Sequence, residues 1–166
     1  MARSSLFKKY ASSSLNISDL QWCTTSERTT FAYDLVDLAY RDRAQAEPAL
    51  RWLGLLIPQV EAHSRGDIID KMMVIICDVN AFKGKDSYDF LDEVVMSSLS
   101  APQKERLADC LIQKIQPDRV THSLASLGAL VRVLPDLDLE MQKQNLKRVL
   151  QVAEEGHFLD DVADML

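Results

Sequence analysis

From about residue 26 to the C-terminus, apolar side chains return every three or four positions, which is the period of an amphipathic helix. Phe31, Leu35, Leu38 and Ala39 fall at i, i+4, i+7 and i+8, with Ser26 placed to cap them. Tyr33, Val36 and Tyr40 form a second line on the same segment. Two lines predict neighbours on two sides. A second helix opens at Glu47-Pro48 and carries Trp52, Leu53, Leu55, Leu56, Ile57 and Val60, with Pro58 expected to kink it near Gly54. Ser64-Arg65-Gly66 reads as a turn. Asp67 then caps a helix through Ile69, Met72, Met73, Ile76 and Val79, apolar almost all round and so expected to be central. A buried strand over 72–79 is the alternative, because Val and Ile favour strands, but no comparable second strand exists to pair with it.

The second half repeats the pattern. After Gly84 and Asp86, a helix turns Phe90, Leu91, Val94, Val95 and Leu99 inward. Ser100-Ala-Pro-Gln103 is a capping box ahead of Leu107, Cys110, Leu111 and Ile115. Pro117-Asp118 opens a segment with Val120, Leu124, Leu127, Val131 and Leu134, ended by Pro135. Asp136 or Asp138 caps the next, with Leu139, Leu146, Val149, Leu150 and Ala153 on one face and Gly156 as its stop. Residues 157–166 read as a short last helix. Alternate helix starts lie roughly 30–40 residues apart, the period of helix-pair arrays, although no residue motif repeats with it. The predicted fold is all-α: seven to eight helices as stacked antiparallel hairpins, either a HEAT/armadillo-like α-α superhelix or a compact helical bundle.

Residues 1–18 differ. Six are Ser, none is acidic, and Arg3, Lys8 and Lys9 make the stretch basic. The expectation is a flexible Ser-rich tail, with residues 19–166 as a single helical domain. Such starts also occur in mitochondrial presequences and in bacterial type III secretion signals, the latter fitting better because one arginine is thin for a presequence. The whole chain of 166 residues has a net charge of −6, and its last thirteen residues hold Glu154, Glu155, Asp160, Asp161 and Asp164 without a cation. That charge disfavours nucleic acid and anionic membranes as partners. No apolar run reaches the 18 or more residues of a membrane span. The expected location is the cytoplasm, with secretion from a bacterium into a host cell as the alternative.

Little in the chain resembles catalytic machinery. Cys77 and Cys110 fall on apolar positions and are expected as reduced core thiols, as in a cytosol-like compartment. Cys23, in Cys-Thr-Thr-Ser, is the thiol expected to be exposed. His63, His122 and His157 stand alone, without metal-ligand spacing. Asp78-Val-Asn80 with Gly84 and Asp89 is a poor calcium loop: Lys83 stands where the sixth-position glycine belongs. No phosphate-binding glycine loop is present. Adjacent carboxylates such as Asp160-Asp161 point about 100° apart on a helix and do not converge. Ala125, Gly128 and Ala129 allow close helix approach. No cofactor and no metal are expected. The expected function is that of a non-catalytic protein–protein interaction module, an adaptor, regulator or effector. Its candidate partner-binding residues are Phe158, Leu159, Val162, Met165 and Leu166 on the last helix, with Trp22, Tyr33 and Tyr40 from the aromatic-rich first forty residues. The expected partner is another protein, basic in character, or a second copy of the chain. The alternatives are a type III secreted effector and a small hydrolase or transferase using Cys23 with one histidine.

Overall fold

The computed structural model describes residues 5–11, 15–78, 88, 90, 91 and 93–165. Among the described residues every regular element is a helix. They are α1 (Ser5–Ala11), α2 (Ile17–Gln21), α3 (Thr25–Arg41), α4 (Ala46–Leu56), α5 (Ala62–Cys77), α6 (Glu93–Ser98), α7 (Ala101–Lys114), α8 (Val120–Val133), α9 (Leu139–Glu155) and α10 (Leu159–Ala163). The all-α class is as the periodicity predicts. Where the sequence places one domain from residue 19 onward, the chain divides into two compact units, Met1–Ile75 and Ile76–Leu166, with the division inside α5. No helix of the described residues is long and apolar enough to cross a membrane.

In the first unit α3 packs chiefly on α4, and α1 packs on α3. Thr24, not Ser26, caps α3: the Glu27 N–H donates to Thr24 Oγ1 at 3.2 Å and the Thr24 N–H donates to Glu27 Oε2 at 2.8 Å. The buried face of α3 carries Phe31, Ala32 and Leu35, all fully buried. Rings run across the unit from Phe7 to Tyr10, to Phe31, to Trp52, with centroids 6.1, 6.2 and 6.4 Å apart. Full burial of each large apolar side chain contributes about 1.5–3 kcal/mol. This corrects the expectation for residues 1–18: within that stretch Leu6 and Phe7 are 3% exposed, so α1 docks instead of fraying. Seven residues hold too few turns to show a period; burial of Leu6 and Phe7 and the 2.7 Å ion pair of Lys9 with Asp19 tie the helix down.

Two further expectations change at α5. It begins at Ala62, five residues before Asp67, and Ser64-Arg65-Gly66 is helical. A Cβ on Gly66 would meet nothing within 4 Å, so no close approach requires the glycine, and it costs the helix about 1 kcal/mol relative to alanine. Thr29 fixes the entry to α5. Its hydroxyl donates to the Thr25 carbonyl at 2.9 Å and accepts from the Glu61 N–H at 2.9 Å. Nor is α5 apolar all round. Ile68, Ile69, Met72, Met73, Ile75 and Ile76 are buried, while Asp70, Lys71 and Val74 are exposed. The strand alternative is overturned, since residues 72–77 are helical.

In the second unit α7 packs on α8, and α9 and α10 add to them. The Gln103 side chain accepts from the Ser100 N–H at 3.0 Å, as the capping box predicts. Asp138 caps α9, accepting from the Met141 N–H at 2.9 Å. Ser123, fully buried, both donates to the Gln116 carbonyl and accepts from the Gln116 N–H, each at 2.8 Å. Those two bonds close the turn between α7 and α8. At the end of α9 the Phe158 N–H donates to the Ala153 carbonyl at 3.0 Å, with His157 left-handed at φ 57°. A Cβ on Gly156 would lie 2.4 Å from Phe158 Cε1 and 2.9 Å from the Pro117 Cα, so only glycine fits that approach.

The cysteine expectation is also corrected. Cys77 and Cys110 are joined in a disulfide, with Cα atoms 5.2 Å apart, and both are half-buried instead of lying in the core. The face of α5 that carries Cys77 meets α7 across this covalent bond. Spacing along the chain, 33 residues, holds no information about that meeting.

Candidate functional site

The residues expected to bind a partner are scattered by the fold. Phe158 and Val162 are buried, 3% and 0% exposed, where α10 meets α9 and α8. Met165 is half-buried, its Cε against Gly128. Leu159 is the exposed member of that set, and Leu166 lies outside the described residues. The last helix thus spends its apolar face inside its own unit. Packing outweighs the repulsion among its acids, because exposed like charges on a helix cost only a few tenths of a kcal/mol per pair.

Trp22 and Tyr40 are strongly exposed, at 88% and 71%. They sit just before the start and near the end of α3, so the helix rise of 1.5 Å per residue separates them by roughly 20 Å or more. They do not form one patch. Tyr33 is half-buried beside Asp67 and Ser64 of α5, with Lys71 Nζ 5.0 Å from its ring centroid. Desolvation, and then the Asp67 carboxylate, push its hydroxyl pKa up. Lys71 also pairs with Asp67, which lowers that carboxyl's pKa.

A line of leucines, broken by Lys143, runs instead along the solvent side of α9. Leu139 is 65% exposed, Leu150 46%, and Leu146 between them is half-buried. At 100° per residue these three, with exposed Lys143, span an arc of about 60°. The buried face of the same helix, Asn145, Val149 and Ala153, lies roughly a quarter-turn away. The spacing 139, 143, 146, 150 is four, three, four, the seam spacing of a coiled coil. Glu140, Lys147 and Glu154 flank the line at positions seven apart, giving the charge order minus, plus, minus. The sequence puts all three leucines, Leu139, Leu146 and Leu150, on one face with Val149 and Ala153; burial separates them from that pair.

The second unit also holds a buried cation. Lys114, in the last turn of α7, is 1% exposed. Its Nζ donates to the Asp78 carbonyl at 2.9 Å and lies 5.8 Å from the centroid of buried Tyr88. Desolvation pulls the Lys114 pKa down to about 8, with the Asp78 carboxylate opposing. Burial pushes the Tyr88 hydroxyl up to about 12, with Ser126 beside it. Burial, then Lys114 and Arg119, hold the His122 imidazole below its ordinary value. The sequence carries a signal for Lys114: it stands three residues after Leu111 and seven after Leu107, on their stripe, where an apolar residue is expected.

Cys23 is half-buried, and its thiol donates to the Asp19 carbonyl at 3.3 Å. Burial and then Glu27 push its pKa up, which lowers the thiolate fraction a nucleophile needs. The calcium-loop residues Asn80, Gly84 and Asp89 lie outside the described residues. Among the described residues no group of three or more His, Cys, Asp or Glu could hold a metal ion. What the fold defines is an all-helical protein. Compared with family models, curated proteins and solved structures, the chain matches none of them.

Proposed function

We propose that the protein is a helical interaction module that docks an amphipathic helix of another protein along the α9 line of Leu139, Leu146 and Leu150. The observation that carries this reading is the heptad spacing of those leucines on the solvent side of a helix whose other apolar face is already used. A lone exposed leucine needs no explanation, but three on one seam are the form a helix-binding surface takes. The rim charges Glu140, Lys147 and Glu154 sum to −1, and they complement a partner helix with the order plus, minus, plus. Such a partner is basic along that edge. In this reading the α7–α8 hairpin, with α9 packed on α7, holds the face rigid.

The test is site-specific photo-crosslinking in the native cell, with the reactive residue at Leu150 or, as control, at exposed Asp70 of α5. The expected result is one discrete adduct from position 150, lost when Leu139→Glu is added and the helical circular dichroism is unchanged. No adduct at 150, or an adduct indifferent to Leu139→Glu, overturns the reading. An adduct of twice the chain mass gives the face to self-association instead.

A further inference from the structure

We propose that the first unit binds a small organic ammonium ion, a cation on an apolar body, in the cavity bounded by α1, α3 and α4. That cavity holds about 570 Å³, within the range of small-molecule sites. Phe7 and Tyr10 of α1, Leu38 of α3 and Trp52 of α4 give it aromatic and aliphatic walls. Asp42 and Gln45, from the turn between α3 and α4, supply its polar end. Tyr10 and Trp52 are only half-buried, so both rings stay within reach of a ligand, and Asp42 is exposed, at the mouth. Among the described residues that line the cavity, Asp42 is the one that carries a charge.

That carboxylate is only partly engaged. Its Oδ1 accepts from the Ala44 N–H at 3.0 Å, which caps the turn, and the neighbouring Arg41 is paired with Asp37 at 2.7 Å. Among the described residues no cation pairs with Asp42. The charge therefore selects the ligand. An anion is repelled at the mouth, and a neutral apolar molecule strips water from the carboxylate and returns nothing. An ammonium ion offsets the charge, while its hydrocarbon substituents lie against rings whose faces carry negative potential. A fully substituted nitrogen needs no hydrogen-bond acceptors, which suits walls that offer one carboxylate and one amide.

The experiment titrates the isotope-labelled full chain with phenyltrimethylammonium and, separately, with tert-butylbenzene, which has the same shape without the charge. Nuclear magnetic resonance follows the two indole N–H signals. Trp52 lines the cavity, Trp22 is 88% exposed outside it and serves as the internal reference, and Trp22→Phe assigns the pair. The expected result is a saturable shift of the Trp52 signal with Trp22 unmoved, and a Kd for the ammonium roughly tenfold or more below that for the hydrocarbon. Asp42→Asn keeps an oxygen for the Ala44 N–H and is expected to erase that preference. Gln45→Glu adds a second carboxylate to the same wall and is expected to tighten the ammonium severalfold, a gain that loss of folding does not produce. A Trp52 signal unmoved by millimolar ammonium, equal affinity for the two compounds, or Trp22 shifting in step with Trp52 overturns the proposal. So does a preference that neither Asp42→Asn nor Gln45→Glu changes.

Discussion

The two units bury different things. The first, Met1–Ile75, is filled by hydrocarbon and rings, and among its described residues the buried polar ones, Thr29 and Ser64, are small. The second, Ile76–Leu166, buries Lys114, Ser123, Ser126 and Asn145 and adds a disulfide. A core of apolar side chains gains its stability from area removed from water and is indifferent to mild changes of pH or redox state. A core that encloses an ammonium and a disulfide takes on the chemistry of both. The two regions should therefore respond to different perturbations.

The largest effect is expected in the ring chain. Phe31→Ala removes a fully buried ring between Tyr10 and Trp52 and should cost about 3–5 kcal/mol. Both tryptophans, Trp22 and Trp52, lie in the first unit, so denaturant melts followed by tryptophan fluorescence measure it. Reduction should leave that fluorescence midpoint in place; a shift as large as the one from Phe31→Ala would break the contrast.

Next comes the disulfide itself. It closes a loop between residues separated by 33 positions, and the chain-entropy account gives it about 3–4 kcal/mol. Hydrogen exchange of α7 and α8 amides, oxidised against reduced, reads that loss within the second unit.

A pH effect follows from Lys114. Its folded pKa, about 8, is below the ordinary lysine value of 10.5. Below pH 8 the amine is protonated folded and unfolded, and the burial penalty is fully present. As pH rises from about 8 toward 10, the unfolded chain binds more protons, so stability should climb by up to ~1.4 kcal/mol per pH unit. Tyr88 acts oppositely. Its folded pKa of about 12 exceeds the ordinary 10.0, so stability is lost as pH rises above 10. Lys114→Met should abolish the rising limb and keep the falling one, as urea midpoints across that range would show.

The smallest effect is at the end of α9. Gly156→Ala forces a Cβ against Phe158 and the Pro117 backbone, and should cost about 1–3 kcal/mol. Since Phe158 can turn aside but Pro117 Cα cannot, a loss below that range in calorimetry would mean the backbone yields there.

The contrast also explains what was legible in the sequence. The helices α3, α4, α7, α8 and α9 begin within three residues of where capping and period place them, because each buries one continuous face. Legibility fails where a local signal is overridden. Gly66 and Ser64 carry turn chemistry but lie inside α5, where tertiary packing of Ile68, Ile69, Met72 and Met73 decides. The short α1 has no period to read. For the candidate site, the heptad of leucines is visible in the sequence, but which side of α9 faces water is not. Asn145 is buried and Leu150 is exposed, the reverse of what polarity alone implies. The pairing of Cys77 with Cys110 depends on how two distant helices meet, which no spacing records.

Lys143 interrupts the exposed leucines of α9 at their centre. An unbroken apolar seam is sticky: it takes any greasy surface it meets, including misfolded chains in a crowded cell. A cation set into the seam acts as a gatekeeper. In the proposed docking it would penalise a partner that offers neither a carboxylate nor a gap at that point, trading affinity for selectivity and fixing the register of the docked helix.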